Sequence, residues 1–265
     1  MTKQKLSLGW KRDLPDHRDF FYSAPLAKLK AMPPKIDLRK GCPAVYNQGD
    51  LGSCTANAIA GAVQFGRRKA RQAPDFVPSR LYIYYNERVI EHSTRYDAGA
   101  QLRDGIKAVA KQGVCPEKEW PYVDIAPPTE DSPFPAAAPA GQKPPAQCYK
   151  DAKKYTVDAY LRVQQSLSQM KGCLAEGYPF VFGFTVYETW YGNPTTVMPL
   201  PSAHESVVGG HAVLAVGYDD AKQCFIFRNS WGSSVGAKGY FYMPYAYLAN
   251  PQLASDMWTV RGLTA

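Results

Sequence analysis

Apolar positions in the first half of the chain repeat at helical intervals. After Ser53 they fall at Ala56, Ala58, Ile59, Ala60, Ala62, Val63 and Phe65, and the run closes on Arg67-Arg68-Lys69, which predicts a helix with Cys54 in its first turn. Ser79 is placed to cap a second helix through Arg80 to Ile90, its aromatic residues facing the core. A third helix is expected from about Ala100 to Lys111, stopping at Gly113. Residues 121 to 147 then carry eight prolines among alanines, a composition that neither a helix nor a central strand tolerates, and a boundary is expected there.

Beyond it the pattern changes to that of strands. Tyr155 to Tyr160 and Pro179 to Tyr187 read as strands around a short helix from about Val163 to Glu176. His211 to Tyr218 and Cys224 to Ser230 form a predicted hairpin turning at Asp219-Asp220-Ala221-Lys222, and Gly239 to Met243 and Trp258 to Val260 add further strands. A helical half followed by an antiparallel β half is the α+β class. Residues 1–34 are interrupted by Pro15, Pro25, Pro33 and Pro34 and read as a strap on the body, anchored by Trp10, Phe20, Phe21 and Tyr22. The expected organisation is therefore a strap (1–34), a mainly helical domain (35–145) and a mainly β domain (146–265).

Charge refines the reading of the strap. The net charge is +8, and residues 1–40 hold ten Lys and Arg against four Asp, whereas the remainder is nearly balanced at 21 against 19. No zinc-finger spacing or aromatic RNP run accompanies the basic segment, so its expected partner is an acidic surface of its own protein, with an external anionic partner as the alternative. No stretch is long and apolar enough for a membrane span, and the N-terminus lacks a signal-peptide apolar core. Six cysteines without a C-x-x-C pair argue against zinc-finger and thioredoxin chemistry. A cytoplasmic monomer without metal or cofactor is expected.

The chemistry centres on Cys54. At a helix N-terminus, free N–H groups and the positive end of the helix dipole favour a thiolate, and Gly49 and Gly52 allow a sharp turn beside the sulfur. A thiolate needs an imidazole. His17 lies in the strap, His92 in a polar loop and His204 in an irregular loop, whereas His211 opens a predicted strand behind Gly209-Gly210. Asn229 ends the neighbouring strand, within reach to orient that ring, and Trp231 is placed to cover their hydrogen bond. Read on the helix alone, Cys54 is better taken as an ordinary buried cysteine.

Taken together, Gln48-Gly49, Gly52-Ser53-Cys54, Gly210-His211-Ala212-Val213 and Asn229-Ser230-Trp231-Gly232 followed by Gly239-Tyr240 resemble the papain-like cysteine proteases, in a divergent bacterial branch. The order agrees, with His211 and Asn229 lying 157 and 175 residues beyond Cys54. The resemblance implies a two-domain fold, helical on the left and β-barrel-like on the right, with an active-site cleft between. It implies a peptidase in which Cys54 attacks a peptide carbonyl, His211 protonates the leaving amine and Asn229 holds the ring. Gln48 and the Cys54 N–H would receive the oxyanion, Ser53 and Trp231 would support the site, and Gly99, Ala100 and Gly210 would line the substrate strip. Rival readings are an acyltransferase or exopeptidase on the same fold, or a non-catalytic basic binding protein.

The departures are specific. Leu51 and Thr55 flank the nucleophile where the family usually has cysteine and tryptophan, and Asp97 stands where the partner of that cysteine would lie, so both halves of one disulfide are missing. Val235 replaces a usual tryptophan, and Gly210 replaces a residue often acidic. The 34 residues before the mature-like start are too few for the usual helical pro-domain. They are expected to cross the cleft as an extended plug, their basic charge held by acidic groups around it, as in a zymogen.

Overall fold

In the computed structural model, which describes residues 6–129 and 131–263, the N-terminal segment holds two short strands, β1 (Trp10–Lys11) and β2 (Phe21–Tyr22), and a helix, α1 (Leu26–Lys30). Strand β3 (Lys35–Asp37) leads to helices α2 (Cys54–Lys69) and α3 (Arg80–Ile90), strand β4 (Ala100–Gln101) and helix α4 (Leu102–Gln112). After the proline-rich stretch come α5 (Ala146–Ala152), β5 (Val157–Val163), α6 (Leu167–Ala175), β6 (Phe180–Tyr187) and α7 (Glu188–Gly192). The chain ends with β7 (Val207–Asp219), β8 (Cys224–Arg228), β9 (Tyr240–Pro244), α8 (Tyr245–Leu248) and β10 (Ala254–Leu263).

The local signals act where the sequence puts them. The Ser79 hydroxyl accepts the Tyr82 N–H at 3.2 Å and caps α3. Gly113 ends α4 at φ 75°, a conformation that suits glycine, and a Cβ there would lie 1.8 Å from the Ala152 carbonyl oxygen. Helix α4 starts after Ala100–Gln101 because those two residues pair in parallel with Trp10–Lys11 of the strap. Helix α2 is rich in alanine and buried on nearly every face, since α3 and α4 pack on one side of it and β7, β10 and β6 on the other.

One eight-stranded sheet has the order β2-β5-β10-β6-β7-β8-β9, with β3 also on β7. It is open. The barrel-like expectation is corrected here, because β2 and β9 stand at opposite ends of the order and do not pair with each other. The edge at β5 is covered instead by Phe21–Tyr22 of the strap, running parallel to Arg162–Val163. Tyr22 and Ala24 are buried with Met170, Cys173 and Leu174 in the same apolar cluster. The second part of the strap thus belongs to the body, and among its described residues Leu8 to Trp10 run between Gly52 and Gly99 on one side and Gly209 and Gly210 on the other.

Strand β7 also differs from the expected one. It begins at Val207, so His211 lies inside the strand and fully buried rather than at its opening. Gly209 and Gly210 are ladder residues, opposite Val186 and Thr185. Their missing side chains admit the strap: a Cβ on Gly210 would sit 2.3 Å from the Trp10 carbonyl oxygen, and one on Gly209 3.0 Å from the Leu8 side chain.

Candidate active site

Cys54 is the first residue of α2 and is wholly buried. Ser53 precedes it as N-cap, but its hydroxyl makes no capping bond and instead pairs with the Tyr122 hydroxyl at 2.6 Å and accepts from Asn57. The turn from Gln48 to Cys54 is therefore held from outside the helix. The Gln48 side-chain amide donates to the Leu51 carbonyl at 2.9 Å, Tyr122 donates to the Gln48 carbonyl, and the Asp97 carboxylate accepts the Gly52 N–H.

On the opposing side, His211 Nε2 and Asn229 Oδ1 lie 2.7 Å apart. The Ser230 N–H donates to the same Asn229 oxygen at 2.8 Å, which identifies that atom as the carbonyl oxygen and makes Nε2 the donor. In a neutral ring Nδ1 then carries the lone pair, and it is buried without a hydrogen-bond partner among the described residues. Trp231 stacks on the imidazole with ring centroids 4.6 Å apart and 18° between planes, and Phe184 meets it edge-on at 5.7 Å. The two sides are tied together. Gln48 N–H donates to Ser230 O, Ser230 Oγ donates to Gln48 Oε1 at 2.6 Å, and Gly232 N–H donates to Tyr46 O. The bond from Ser230 fixes the Gln48 amide so that its nitrogen faces the cleft.

Residues 6–11 cross this arrangement. The Ser7 carbonyl accepts from Gln48 Nε2 at 3.1 Å and from Trp231 Nε1 at 3.3 Å. Gly9 donates to Gly210 O and accepts from Ala100 N–H, at 2.9 and 2.8 Å. A Cβ on Gly99 would meet the Gly9 carbonyl at 2.0 Å, so the strap backbone touches all three residues expected to form the substrate strip. The Trp10 indole fills the space over Gly183, where a Cβ would come within 1.9 Å of the ring. Ala254 and Ser255 of β10 lie opposite Phe184 and Gly183 of β6.

Closure sets the electrostatics. Burial pushes the Cys54 thiol up to about 12, against the N–H groups of Ala212, Thr55 and Cys54 itself. Burial likewise pushes His211 down to about 4, against its bond to Asn229. Burial in the strap-covered site therefore favours the neutral thiol and the neutral imidazole over their charged forms.

Other polar features were not legible in the sequence. Thr55 donates to Glu87 at 2.6 Å, and burial holds the Glu87 carboxyl well above its usual range, which keeps a negative charge away from Cys54. The strap is held chiefly through its acidic residues: Asp19 pairs with Arg103 at 2.6 Å and Arg162 at 2.9 Å, and Asp16 lies 3.6 Å from Lys107. Of its basic residues near the cleft, Lys11 pairs with Glu91 at 3.2 Å. The strap's aspartates thus face the body, Lys28 and Lys30 are exposed, and Lys3 and Lys5, on which part of the expected basic contact falls, lie outside the described residues. All six cysteines are unpaired thiols. Among the described residues, Cys115, Glu119 and Cys148 bring three potential metal-ligating atoms within 4.8 Å of one another, in an apolar cluster separate from that of Cys54. His17, His92 and His204 are exposed. No helix among the described residues is long and apolar enough to cross a membrane.

Comparison with known proteins agrees with this geometry. The family described as papain family cysteine protease matches residues 32–259. The chain is similar to the crystal structure of xylellain, a cysteine protease from Xylella fastidiosa, with 51% identity and a TM-score of 0.94 over 100% of this chain and 99% of that one. A peptidase C1-like protein of Acanthamoeba polyphaga mimivirus is 38% identical over 97% of this chain and 88% of its own length. Procathepsin B from Trypanosoma congolense shares the fold at 16% identity, with a TM-score of 0.76 over 98% of this chain and 87% of that one.

Proposed function

The chain belongs to the papain family of cysteine proteases and is a cysteine peptidase, and we propose that Cys54 is its nucleophile, His211 its acid–base partner and Asn229 the residue that orients the imidazole. The observation that carries the assignment is the His211–Asn229 hydrogen bond of 2.7 Å under the Trp231 indole, which leaves Nδ1 as the free ring nitrogen, while the N–H of the next residue, Ala212, bonds the sulfur of Cys54 at its helix N-terminus. Nδ1 takes the thiol proton, the thiolate attacks the substrate carbonyl, and the imidazolium returns the proton to the departing amine. Water then releases the acyl group from Cys54.

Gln48 is the side-chain donor to the developing oxyanion. Its amide nitrogen already holds a peptide carbonyl, that of Ser7, and Ser230 fixes its orientation. Gln48→Ala is expected to lower kcat about a hundredfold, since one preorganised donor of two is lost, while KM changes much less. Steady-state kinetics on a fluorogenic peptide checks this; an unchanged kcat would remove Gln48 from the mechanism.

We further assign residues 6–12 as an inhibitory plug and the enzyme as an endopeptidase. The strap takes up the backbone partners of the cleft, and its cover favours the neutral thiol and imidazole. It also enters as chain interior, with polypeptide continuing past Arg12, so the site accommodates a continuous chain. Deleting residues 1–12 spares Tyr22, Ala24 and the β2 edge strand, whereas deletion to residue 34 would strip them from the core. The expected result is faster modification of Cys54 by a thiol-directed epoxide and faster cleavage of peptides blocked at both termini. Equal rates with and without residues 1–12 would sink the plug, and a requirement for a free terminus would sink the endopeptidase reading.

A further inference from the structure

We propose that Asp97 is a positioning residue of this peptidase, holding the oxyanion turn and the substrate strip in register through one carboxylate; this rests on the reading of Cys54 and Gln48 given above. Both oxygens of Asp97 accept the Gly52 N–H, at 2.9 and 3.1 Å. Gly52 lies two residues before Cys54 and one after Leu51, whose carbonyl is bound by the Gln48 amide. The anchor therefore acts in the middle of the turn that carries both the nucleophile and the oxyanion donor. Because Ser53 provides no cap bond and the first turn of α2 has no acidic residue, the helix end itself does not fix this turn.

The carboxylate reaches the other wall as well. The Tyr84 hydroxyl donates to Asp97 Oδ1 and accepts the Gly99 N–H at 3.2 Å. Tyr84 is fully buried, and burial holds its hydroxyl proton firmly, so it remains a donor at every working pH. Gly99 precedes Ala100, the residue whose N–H holds the Gly9 carbonyl of the strap. A continuous hydrogen-bonded path thus runs from Gly52 through Asp97 and Tyr84 to Gly99, spanning the turn that would stabilise the transition state and the strip that would hold the substrate backbone. Gly52 fits this close approach because it lacks a side chain: a Cβ would lie 2.9 Å from the Leu8 carbonyl oxygen and 3.3 Å from Asp97 Oδ1. With Leu51 adjacent and no cysteine on either side, the carboxylate is the link between these two segments at this point.

The path can be cut and partly restored. Asp97→Ala removes both acceptors, whereas Asp97→Asn keeps an Oδ1 able to receive both Gly52 N–H and Tyr84 O–H. Both variants and wild type, each with residues 1–12 removed and each normalised to epoxide-titratable Cys54, are assayed on one peptide and with a peptide aldehyde that forms a hemithioacetal in the oxyanion site. The expected result is a kcat lower by roughly ten- to a hundredfold in Asp97→Ala, in keeping with a displacement of about an ångström in the reacting geometry. Aldehyde affinity should fall in parallel, KM should change by a few-fold at most, and Asp97→Asn should stay within a few-fold of wild type. A residue serving stability alone would lower the melting temperature of Asp97→Ala and leave kcat per titrated site unchanged, which overturns the proposal. So does an Asp97→Asn enzyme as impaired as the alanine variant. Cys54→Ala is assayed alongside: activity retained there overturns the reading of Cys54 and the Asp97 assignment with it, whereas activity lost there with Asp97→Ala unaffected overturns the Asp97 assignment alone.

Discussion

Cys54→Ala will abolish peptide hydrolysis, with a loss on the order of 10^4-fold or greater, and will leave a folded protein with its strap still docked. The size of the loss follows from the role, since without the sulfur there is no acyl-enzyme and Nδ1 of His211 has no proton to accept. No other thiol can take over. Cys42, Cys115, Cys148, Cys173 and Cys224 are buried, and none of them is the first residue of a helix as Cys54 is. The three remaining histidines are exposed at the surface. The fold should persist because only one atom leaves a position anchored by backbone and neighbouring side chains, a cost on the order of 1 kcal/mol. Measurement of kcat/KM together with a thermal melt separates these outcomes. Residual activity above about 1% of wild type would place the nucleophile elsewhere.

The readings that succeeded at sequence level share a cause: each rested on residues close together in the chain. The α2 helix, the Ser79 cap and the β7–β8 hairpin that brings Asn229 to His211 are all encoded in local periodicity or turn chemistry, with 18 residues separating the two members of the last pair. The features that escaped rest on side chains far apart in sequence. Asp97 and Gly52 are 45 residues apart, Glu87 and Thr55 32, Asp19 and Arg103 84, and nothing in any of these segments alone marks the partner. Net charge also hid the last of these, because the strap's lysines dominate the count while its aspartates make the buried contacts. The early start of β7 was hidden by Gly209-Gly210, which resemble a loop signal but are ladder residues left bare for the strap. The open sheet was hidden for a related reason, as its edge partner Phe21–Tyr22 belongs to a segment too proline-rich to read as a strand.

The second large effect concerns the strap, whose inhibition will weaken as the pH rises from 4 to 8, by at most about tenfold per unit, and will lose that dependence in Asp13→Asn. Asp13 is the point where the strap leaves the cleft and meets the body. Its N–H donates to Asp256 at 2.8 Å, and its carboxyl accepts from Trp258 Nε1 at 2.9 Å and from the Arg103 N–H at 3.1 Å. The charged groups around the pair are Asp256 on β10, Arg103 on α4, Arg162 on β5, which reaches Asp256 at 3.3 Å, and Arg12 and Asp19 of the strap itself. Burial, and then the Asp256 charge, raise Asp13 from its ordinary 3.8 to about 7. Asp256 is also raised by burial, against the Asp13 N–H and Arg162, so the buried pair holds a proton more tightly than two separate carboxyls would. A raised carboxyl pKa means that the docked strap takes up a proton. Docking is therefore strongest below the ordinary carboxyl pKa, weakens by at most about tenfold per unit as pH rises toward 7, and levels off above it. Asp16 does not oppose this, because hydrogen bonds from Arg18 hold its pKa low and it stays ionised throughout the window. The measurement is the ratio of kcat/KM for the full-length enzyme to that of the enzyme lacking residues 1–12, taken at each pH so that titration of Cys54 and His211 cancels. That ratio should climb as the pH rises in wild type and stay flat in Asp13→Asn, where the side chain is neutral at every pH. A ratio that is constant or falls toward pH 8 in wild type would show that the Asp13–Asp256 contact does not govern release of the strap.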